Sequence, residues 1–214
     1  NSTAHMNLGG IYQDLGNVNQ ALASSLKSLE INPDNHNAHM NLGSIYQDLG
    51  YLDQALASTL KSLEINPDNH NAHMNLGGIY QDLGNLDQAL ASTLKSLELK
   101  PDNPTAHMNL GGIYKDLNKL DQAIESTLKS LELNPEEPDA HVNLGIIYKD
   151  LGQVSKSENC SREALHLNPN HDDAHLLLAE VHRMNGKYSE ALKEERSGGG
   201  MINFSLDNGF SLLK

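Results

Sequence analysis

The chain has 214 residues, with 28 Asp and Glu against 15 Lys and Arg, and its formal net charge is −13. This charge argues against nucleic acids and anionic membranes as partners, because phosphate binding requires clustered Lys and Arg. The single Cys excludes an internal disulfide framework and a Cys-based zinc site, and it is typical of a reducing, cytoplasmic location. No apolar run approaches the roughly 18–20 residues of a membrane span.

The sequence repeats with a period of 34 residues, and its second and third copies differ at only four of 34 positions. The copies span residues 2–35, 36–69, 70–103, 104–137 and 138–171, followed by a shortened sixth copy at 172–196. A repeat of this length cannot bury its apolar face alone, so neighbouring copies must stack.

The first half of each copy predicts an amphipathic helix. In the first copy this helix covers about residues 3–15, and its apolar residues recur at helical spacing at Ala4, Leu8, Ile11 and Leu15. Gly16 is expected to end the helix, because Gly tolerates the left-handed backbone conformation of a helix stop.

The second half of each copy predicts another helix. Its expected buried stripe in the first copy is Ala21, Leu22, Leu26 and Leu29. Pro33 cannot continue a helix, so it closes the repeat. Each copy therefore reads as a helix, a short turn, a second helix and a second turn.

These features resemble the tetratricopeptide repeat. The family's Leu-Gly-x-x-Tyr signature stands at Leu8, Gly9 and Tyr12, and it recurs in phase in the next four copies. The sequence departs from the family at His5, where Trp is usual, and at Ser25, where an aromatic residue is usual. The resemblance implies an all-α fold, a right-handed superhelical solenoid of antiparallel helix pairs whose first helices line the concave side.

One face of the first helix carries polar residues. Thr3, Asn7, Gly10 and Asp14 are spaced by four, three and four residues, so they share a face distinct from the apolar stripe. A side-chain amide can accept from the N–H and donate to the C=O of an extended peptide. Asn at this position in each of the first five copies therefore predicts a ladder that binds peptide backbone. The ladder residues are Asn7, Asn41, Asn75, Asn109 and Asn143.

Two further rows flank this ladder. A row of acceptors is formed by Asp14, Asp48, Asp82, Asp116 and Asp150. Adaptable apolar walls are expected at Met40, Met74 and Met108. The arrangement resembles the tetratricopeptide superhelix of the O-linked N-acetylglucosamine transferases, in which an asparagine ladder binds extended polypeptides. The alternative, a solvated helix face that simply tolerates Asn and Asp, stays open, because near-identical repeats copy every residue.

The remaining polar residues predict no catalytic chemistry. Histidines recur once per repeat, too far apart to share a metal, and pairs such as His36 and His39 lack a third ligand. We therefore expect them to be packing residues, with no metal and no cofactor. No nucleophile–base arrangement or phosphate-binding loop is present, so the chain is not expected to be an enzyme.

The sequence after residue 196 has a different character. Residues 197–200 read Ser-Gly-Gly-Gly, the composition of a flexible linker. Residues 201–214 alternate apolar and polar residues, which favours an extended peptide. We interpret this segment as a ligand fused to its own receptor, with contacts from Phe204, Leu206, Phe210 and Leu212. The alternative is a cap over the end of the last repeat.

The expected function is protein–protein recognition, in which a scaffold binds an extended peptide of a partner, the partner being the source of residues 201–214. The fused segment could occupy the groove of its own chain or of a neighbour. The sequence begins with Asn1 rather than Met, which leads us to expect a piece of a longer protein. Two alternatives follow: a substrate-recruiting domain of a larger enzyme such as a glycosyltransferase, or a scaffold that stacks end to end.

Overall fold

A computed structural model describes residues 1–198, 201–205 and 209–213. Within these residues the chain forms α1 (Ser2–Asp14), α2 (Val18–Ile31), α3 (His36–Asp48), α4 (Leu52–Ile65), α5 (His70–Asp82), α6 (Leu86–Leu99), α7 (Pro104–Asp116), α8 (Leu120–Leu133), α9 (Pro138–Asp150), α10 (Val154–Leu167), α11 (Asp172–Met184), α12 (Tyr188–Ser197), β1 (Met201–Ser205) and β2 (Gly209–Leu213). The predicted all-α fold of repeated helix pairs is confirmed.

The helices belong to two compact units, Asn1–Ile113 and Tyr114–Lys214. In the first unit each repeat's two helices pack together, and α2 and α4 also pack against the first helix of the next repeat. In the second unit the same pattern joins α9 with α10, α11 with α12, and α10 with α11. No helix in the described part of the chain combines the length and apolarity needed to cross a membrane.

The helix ends follow from local residues. The side chain of Asn35 caps α3 by accepting a hydrogen bond from the backbone N–H of Ala38 at 3.2 Å. Gly16 has a φ of 70°, so the predicted glycine stop is confirmed. In the fourth repeat Asn118 takes this position with a φ of 57°, a conformation that Asn tolerates better than most residues.

The two helices of a repeat approach closely through small residues. A Cβ added at Gly43 would lie 2.1 Å from Thr59 Oγ1 and 3.3 Å from the carbonyl oxygen of Ala55. Gly77 and Thr93 repeat this contact at 2.2 Å. A side chain at Gly43 or Gly77 would therefore clash with the threonine that stands where an aromatic residue is usual.

The predicted buried stripe of the second helix is wrong in part. Ala21 is fully buried as expected, but Ser25 and Ser28 are also fully buried, and Leu26 is 43% exposed. Leu22 is half-buried. The close helix–helix approach explains the difference, because it admits only small side chains on the inner face and turns Leu26 outward.

The last two elements form a hairpin. Strands β1 and β2 pair antiparallel, with Ile202 opposite Leu212 and Phe204 opposite Phe210. The predicted extended backbone is present in both strands, but the segment doubles back rather than forming one long extended run. The sequence holds a signal for this, because Asn208-Gly209 between two alternating apolar runs is a strong hairpin motif.

Part of the predicted tail lies outside the described residues. Leu206, a candidate ligand residue, is not among them, and neither are Gly199 and Gly200 of the predicted linker. Ser197, assigned to that linker, is the last residue of α12.

Candidate functional site

The candidate residues lie on the first helices of the repeats, from α1 to α9. The methionines at Met40, Met74 and Met108 are half-buried, whereas the five aspartates are exposed. Asn7 is exposed, and the later ladder asparagines, Asn41, Asn75, Asn109 and Asn143, are half-buried.

Asn41 links two repeats. Its side-chain Nδ2 donates to the backbone carbonyl of Met6 in α1 at 3.2 Å. This bond uses one of its two N–H groups and leaves the amide oxygen available. The ladder position therefore lies where the first helices of neighbouring repeats meet.

The other ladder amides have no such partner. In residues 1–198, no hydrogen bond involves the side chains of Asn7, Asn75, Asn109 or Asn143. The sixth repeat replaces the asparagine with Leu177, which is buried in an apolar cluster with Val142 and Ala164. The ladder position is therefore an amide in the fifth repeat and a buried core residue in the sixth.

Glutamine side chains that the sequence patterns did not single out hydrogen-bond to aspartates of the next repeat. Gln13 Nε2 donates to Asp48 Oδ2 at 2.8 Å and to Ser44 Oγ at 2.7 Å. Gln47 Nε2 donates to Asp82 Oδ2 at 2.7 Å. Each of these carboxylates keeps its second oxygen for another donor. The available signal was the Gln-Asp pair at the same phase of the first three repeats.

The glycines of the face are partly covered. A Cβ at Gly78 would lie 3.2 Å from Gln47 Nε2, and one at Gly112 would lie 3.4 Å from Gln81 Nε2. At Gly10 the nearest atom, Asn41 Nδ2, lies 3.8 Å away. The face is therefore open at Gly10, whereas glutamine side chains lie over Gly78 and Gly112.

The methionines pack beside capping asparagines. Asn69 Nδ2 lies 3.8 Å from Met40 Sδ, and Asn103 Nδ2 lies 3.8 Å from Met74 Sδ. Thioether sulfur is a weak acceptor, so these contacts leave the methionine side chains able to change rotamer.

The repeated histidines bind the turn before their own helix. His39 Nε2 donates to the carbonyl oxygen of Pro33 at 2.9 Å, and His73 does the same to Pro67 at 2.8 Å. The same bond is made by His107, His141 and His175. No group of three or more possible metal ligands is present among the described residues. The bonds to the proline carbonyls join the start of each of these helices to the turn before it.

The two units differ in charge along this face. Helices α1, α3 and α5 contain no Lys or Arg, and each ends in Asp. In the second unit Lys149 Nζ contacts Glu180 Oε2 at 2.5 Å, so a cation replaces the glutamine of the earlier repeats. Lys115 Nζ lies 3.3 Å from Asp116 Oδ1. The face of the first unit is therefore acidic and amide-rich, and that of the second carries both signs.

Burial shifts the pKa of His70 in α5 and of Cys160 in α10. Burial, with the charge of Lys100, lowers the pKa of His70. Burial, with the charge of Glu163, raises the pKa of the Cys160 thiol to about 11. Cys160 is a buried free cysteine.

The repeated helix pairs define a helical repeat protein. A TPR repeat family model matches residues 9–50, 77–117 and 111–152. Three further tetratricopeptide repeat models match residues 36–69, 59–91 and 142–197. The chain belongs to the tetratricopeptide repeat family. A search of curated proteins found no match.

Solved structures share this fold at low sequence identity. Pseudomonas aeruginosa PilF is 22% identical over 90% of this chain and 88% of its own, with a TM-score of 0.73. A chain of the APC/C hetero-tetramer Cut9–Hcn1 is 19% identical over 92% of this chain and 39% of its own, with a TM-score of 0.85. YrrB, described as a TPR protein with an unusual peptide-binding site, is 20% identical over 81% of this chain and 90% of its own, with a TM-score of 0.56.

Proposed function

We propose that the chain is a protein-interaction scaffold that binds an extended segment of a partner along its first helices. The tetratricopeptide fold is consistent with a scaffold role. The observation that carries the finer proposal is the pair of half-buried amides in the first unit that have no hydrogen-bond partner in residues 1–198, namely Asn75 and Asn109. A polar group on a partly desolvated surface gains from a partner that satisfies it.

The amides suit a peptide backbone as their ligand. Each offers one acceptor oxygen and two N–H donors, which match the C=O and N–H of one peptide unit. Asn41 keeps its oxygen and one N–H for this role, because only one N–H is used by Met6. YrrB is described as having a peptide-binding site, which supports the same class of ligand here.

The neighbouring groups would select the ligand's side chains. Asp48 and Asp82 each keep one oxygen free of their glutamine partners, so they can accept from Ser, Thr, Lys or Arg of the bound segment. Met40, Met74 and Met108 can adapt to apolar side chains by changing rotamer. The site therefore combines a sequence-independent ladder with an acidic and an apolar row.

The segment 201–214 is proposed as a fused ligand of this face. Two-stranded pairing leaves one edge of each strand unpaired within the sheet, and such an edge can offer backbone N–H and C=O groups to the ladder. A short flexible tether raises the effective concentration to the order of mM, which makes fusion sensible for a weak complex. The competing proposal remains a cap on the last repeat.

The test compares the full chain with a variant that ends at Gly198. A fluorescent peptide of sequence 201–214 is titrated into this variant, and a scrambled peptide of the same composition is the control. Saturable binding of the native-order peptide only, with unchanged helix content in the truncated chain, supports the proposal. Loss of helical signal on truncation, without peptide binding, would instead assign a capping role to the tail.

A further inference from the structure

One position on the ladder face, the side of each first helix that carries the ladder asparagine, differs between two otherwise identical helices. Helices α3 and α5 have the same sequence except that Ser44 of α3 is replaced by Gly78 in α5. Both residues are half-buried and lie one turn after a ladder asparagine, Asn41 or Asn75. This position is therefore where the two helices can differ in how they contact a ligand.

In the second repeat the serine holds a glutamine of the preceding repeat. Gln13 Nε2 donates to Ser44 Oγ at 2.7 Å and to Asp48 Oδ2 at 2.8 Å. An amide nitrogen carries two N–H groups, so both groups of Gln13 are used. The side chain of Gln13 is therefore fixed against α3 by two hydrogen bonds.

In the third repeat the equivalent glutamine is held by one hydrogen bond. Gln47 Nε2 donates to Asp82 Oδ2 at 2.7 Å, and its second N–H has no partner in residues 1–198 because Gly78 offers no hydroxyl. A Cβ at Gly78 would lie 3.2 Å from Gln47 Nε2 and 3.9 Å from Gln47 Oε1. Both polar atoms of the Gln47 amide therefore lie over the backbone at Gly78.

The amide of Gln47 offers the same kinds of donor and acceptor as a peptide unit. It lies one turn from Asn75, whose amide has no hydrogen-bond partner in residues 1–198. A peptide backbone that pairs with Asn75 would reach the surface at Gly78, and its N–H would replace that of Gln47 at Asp82. The absence of a side chain at Gly78 then lets this backbone approach the helix closely.

We propose that Gln47 is a displaceable cover of the ladder face at Gly78 and that a bound segment takes its place, whereas Ser44 fixes Gln13 and keeps the equivalent part of α3 covered. This inference rests on the proposed function, because it identifies where that site admits the ligand's backbone. A site that must first release a side chain binds with an affinity reduced by the fraction of molecules in which it is open. Stronger retention of the glutamine therefore weakens binding.

The test exchanges the serine and the glycine between the two helices. The fluorescent peptide of sequence 201–214 is titrated into the chain that ends at Gly198, which retains α1 to α12 and their packing. Gly78→Ser should give Gln47 a second hydrogen bond and weaken binding about two- to tenfold, the range expected for one net hydrogen bond. Ser44→Gly should release Gln13 and strengthen binding by a similar factor.

The matched control is Ala91→Ser, which adds a hydroxyl on the exposed surface of α6 in the same repeat as Gly78. This variant should bind the peptide like the wild type. Circular dichroism checks that every variant retains its helix content.

A double variant separates retention of Gln47 from obstruction by the new hydroxyl. Gly78→Ser combined with Gln47→Ala should bind as tightly as Gln47→Ala alone, because no glutamine is left to be held. Thermal unfolding gives an independent sign. Gly78→Ser should raise the melting temperature, through the added bond and the better helix propensity of Ser, while it weakens binding. General damage to the fold would lower both.

The outcomes separate this inference from the proposed function. Equal affinities of the wild type, Gly78→Ser and Ser44→Gly overturn the inference and leave the proposed function standing. A loss of affinity in Gly78→Ser that persists without Gln47 does the same. Absence of peptide binding by all of these chains, or loss of helical signal in the shortened chain, contradicts the proposed function itself, and the inference fails with it.

Discussion

Gln13 and Asp48 are 35 residues apart in sequence, and a hydrogen bond of 2.8 Å joins the glutamine nitrogen to the carboxylate. Gln47 and Asp82 repeat the contact one period later at 2.7 Å. Equivalent contacts therefore join the first helices of neighbouring repeats, one sequence period apart. The same carboxylates are candidates for ligand binding, so the contact both joins the repeats and orients the acidic row.

Replacing Gln47 with Ala is expected to lower the free energy of unfolding by about 0.5–1.5 kcal/mol, because the bond to Asp82 is lost. The contact is exposed to solvent, which places the expected effect toward the lower end of that range. Urea unfolding followed by circular dichroism measures the change. The matched control is Gln54→Ala on the exposed surface of α4, which should leave the urea midpoint nearly unchanged. Equal effects of the two substitutions would contradict a role for the Gln47–Asp82 bond.

Two glycines are expected to respond oppositely to substitution by Ala. Gly43→Ala should destabilise the fold by about 1–3 kcal/mol, because the new Cβ would lie 2.1 Å from Thr59 Oγ1. Gly10→Ala should stabilise it by about 0.5–1 kcal/mol, since the helix interior favours Ala and the nearest atom lies 3.8 Å from the new Cβ. Thermal unfolding of both variants checks the signs.

A double variant separates the clash from other causes. Thr59 Oγ1 has no hydrogen-bond partner among the described residues, so its removal should cost little hydrogen bonding. Gly43→Ala combined with Thr59→Ala should therefore recover part of the lost stability. No recovery would mean that the close approach at Gly43 does not determine the effect.

The Cys160 thiol is expected to be unreactive in the folded chain. Burial raises its pKa to about 11, so almost none of it is thiolate at pH 8. An aromatic disulfide reagent should react with the native chain at least about a hundredfold more slowly than with the urea-unfolded chain. Similar rates in the two states would show that Cys160 is accessible and ionised in the native chain.

The sequence predicted the features that depend on local chemistry. The helix stop at Gly16 was predicted correctly, because the left-handed conformation that Gly tolerates is a preference of that single residue. The outward position of Leu26 could not be read from periodicity, because it depends on how closely α1 and α2 approach. The Gln13–Asp48 bond likewise requires knowing which positions of successive repeats meet.

The tail shows the same division between local and long-range information. Alternation of apolar residues predicted extended backbone, and both strands have it. The pairing of Phe204 with Phe210 depends on the chain reversing between them. The sequence Asn208-Gly209 is typical of such a reversal, so the hairpin was predictable from local residues. The interpretation of the segment as one extended ligand did not use this signal.

The asparagine ladder is tested by replacing Asn41, Asn75 and Asn109 together with Ala in the chain that ends at Gly198. Each amide paired with peptide backbone should contribute about 0.5–1.5 kcal/mol, so the triple variant should bind the 201–214 peptide about tenfold or more weakly. Asn17, Asn19 and Asn85 lie off this face, and replacing these three with Ala provides the matched control. Fluorescence titration gives the affinities, and circular dichroism checks that helix content is retained. Equal affinity of the ladder and control variants would contradict backbone recognition by these amides, whereas a selective loss would locate the ligand along α3, α5 and α7.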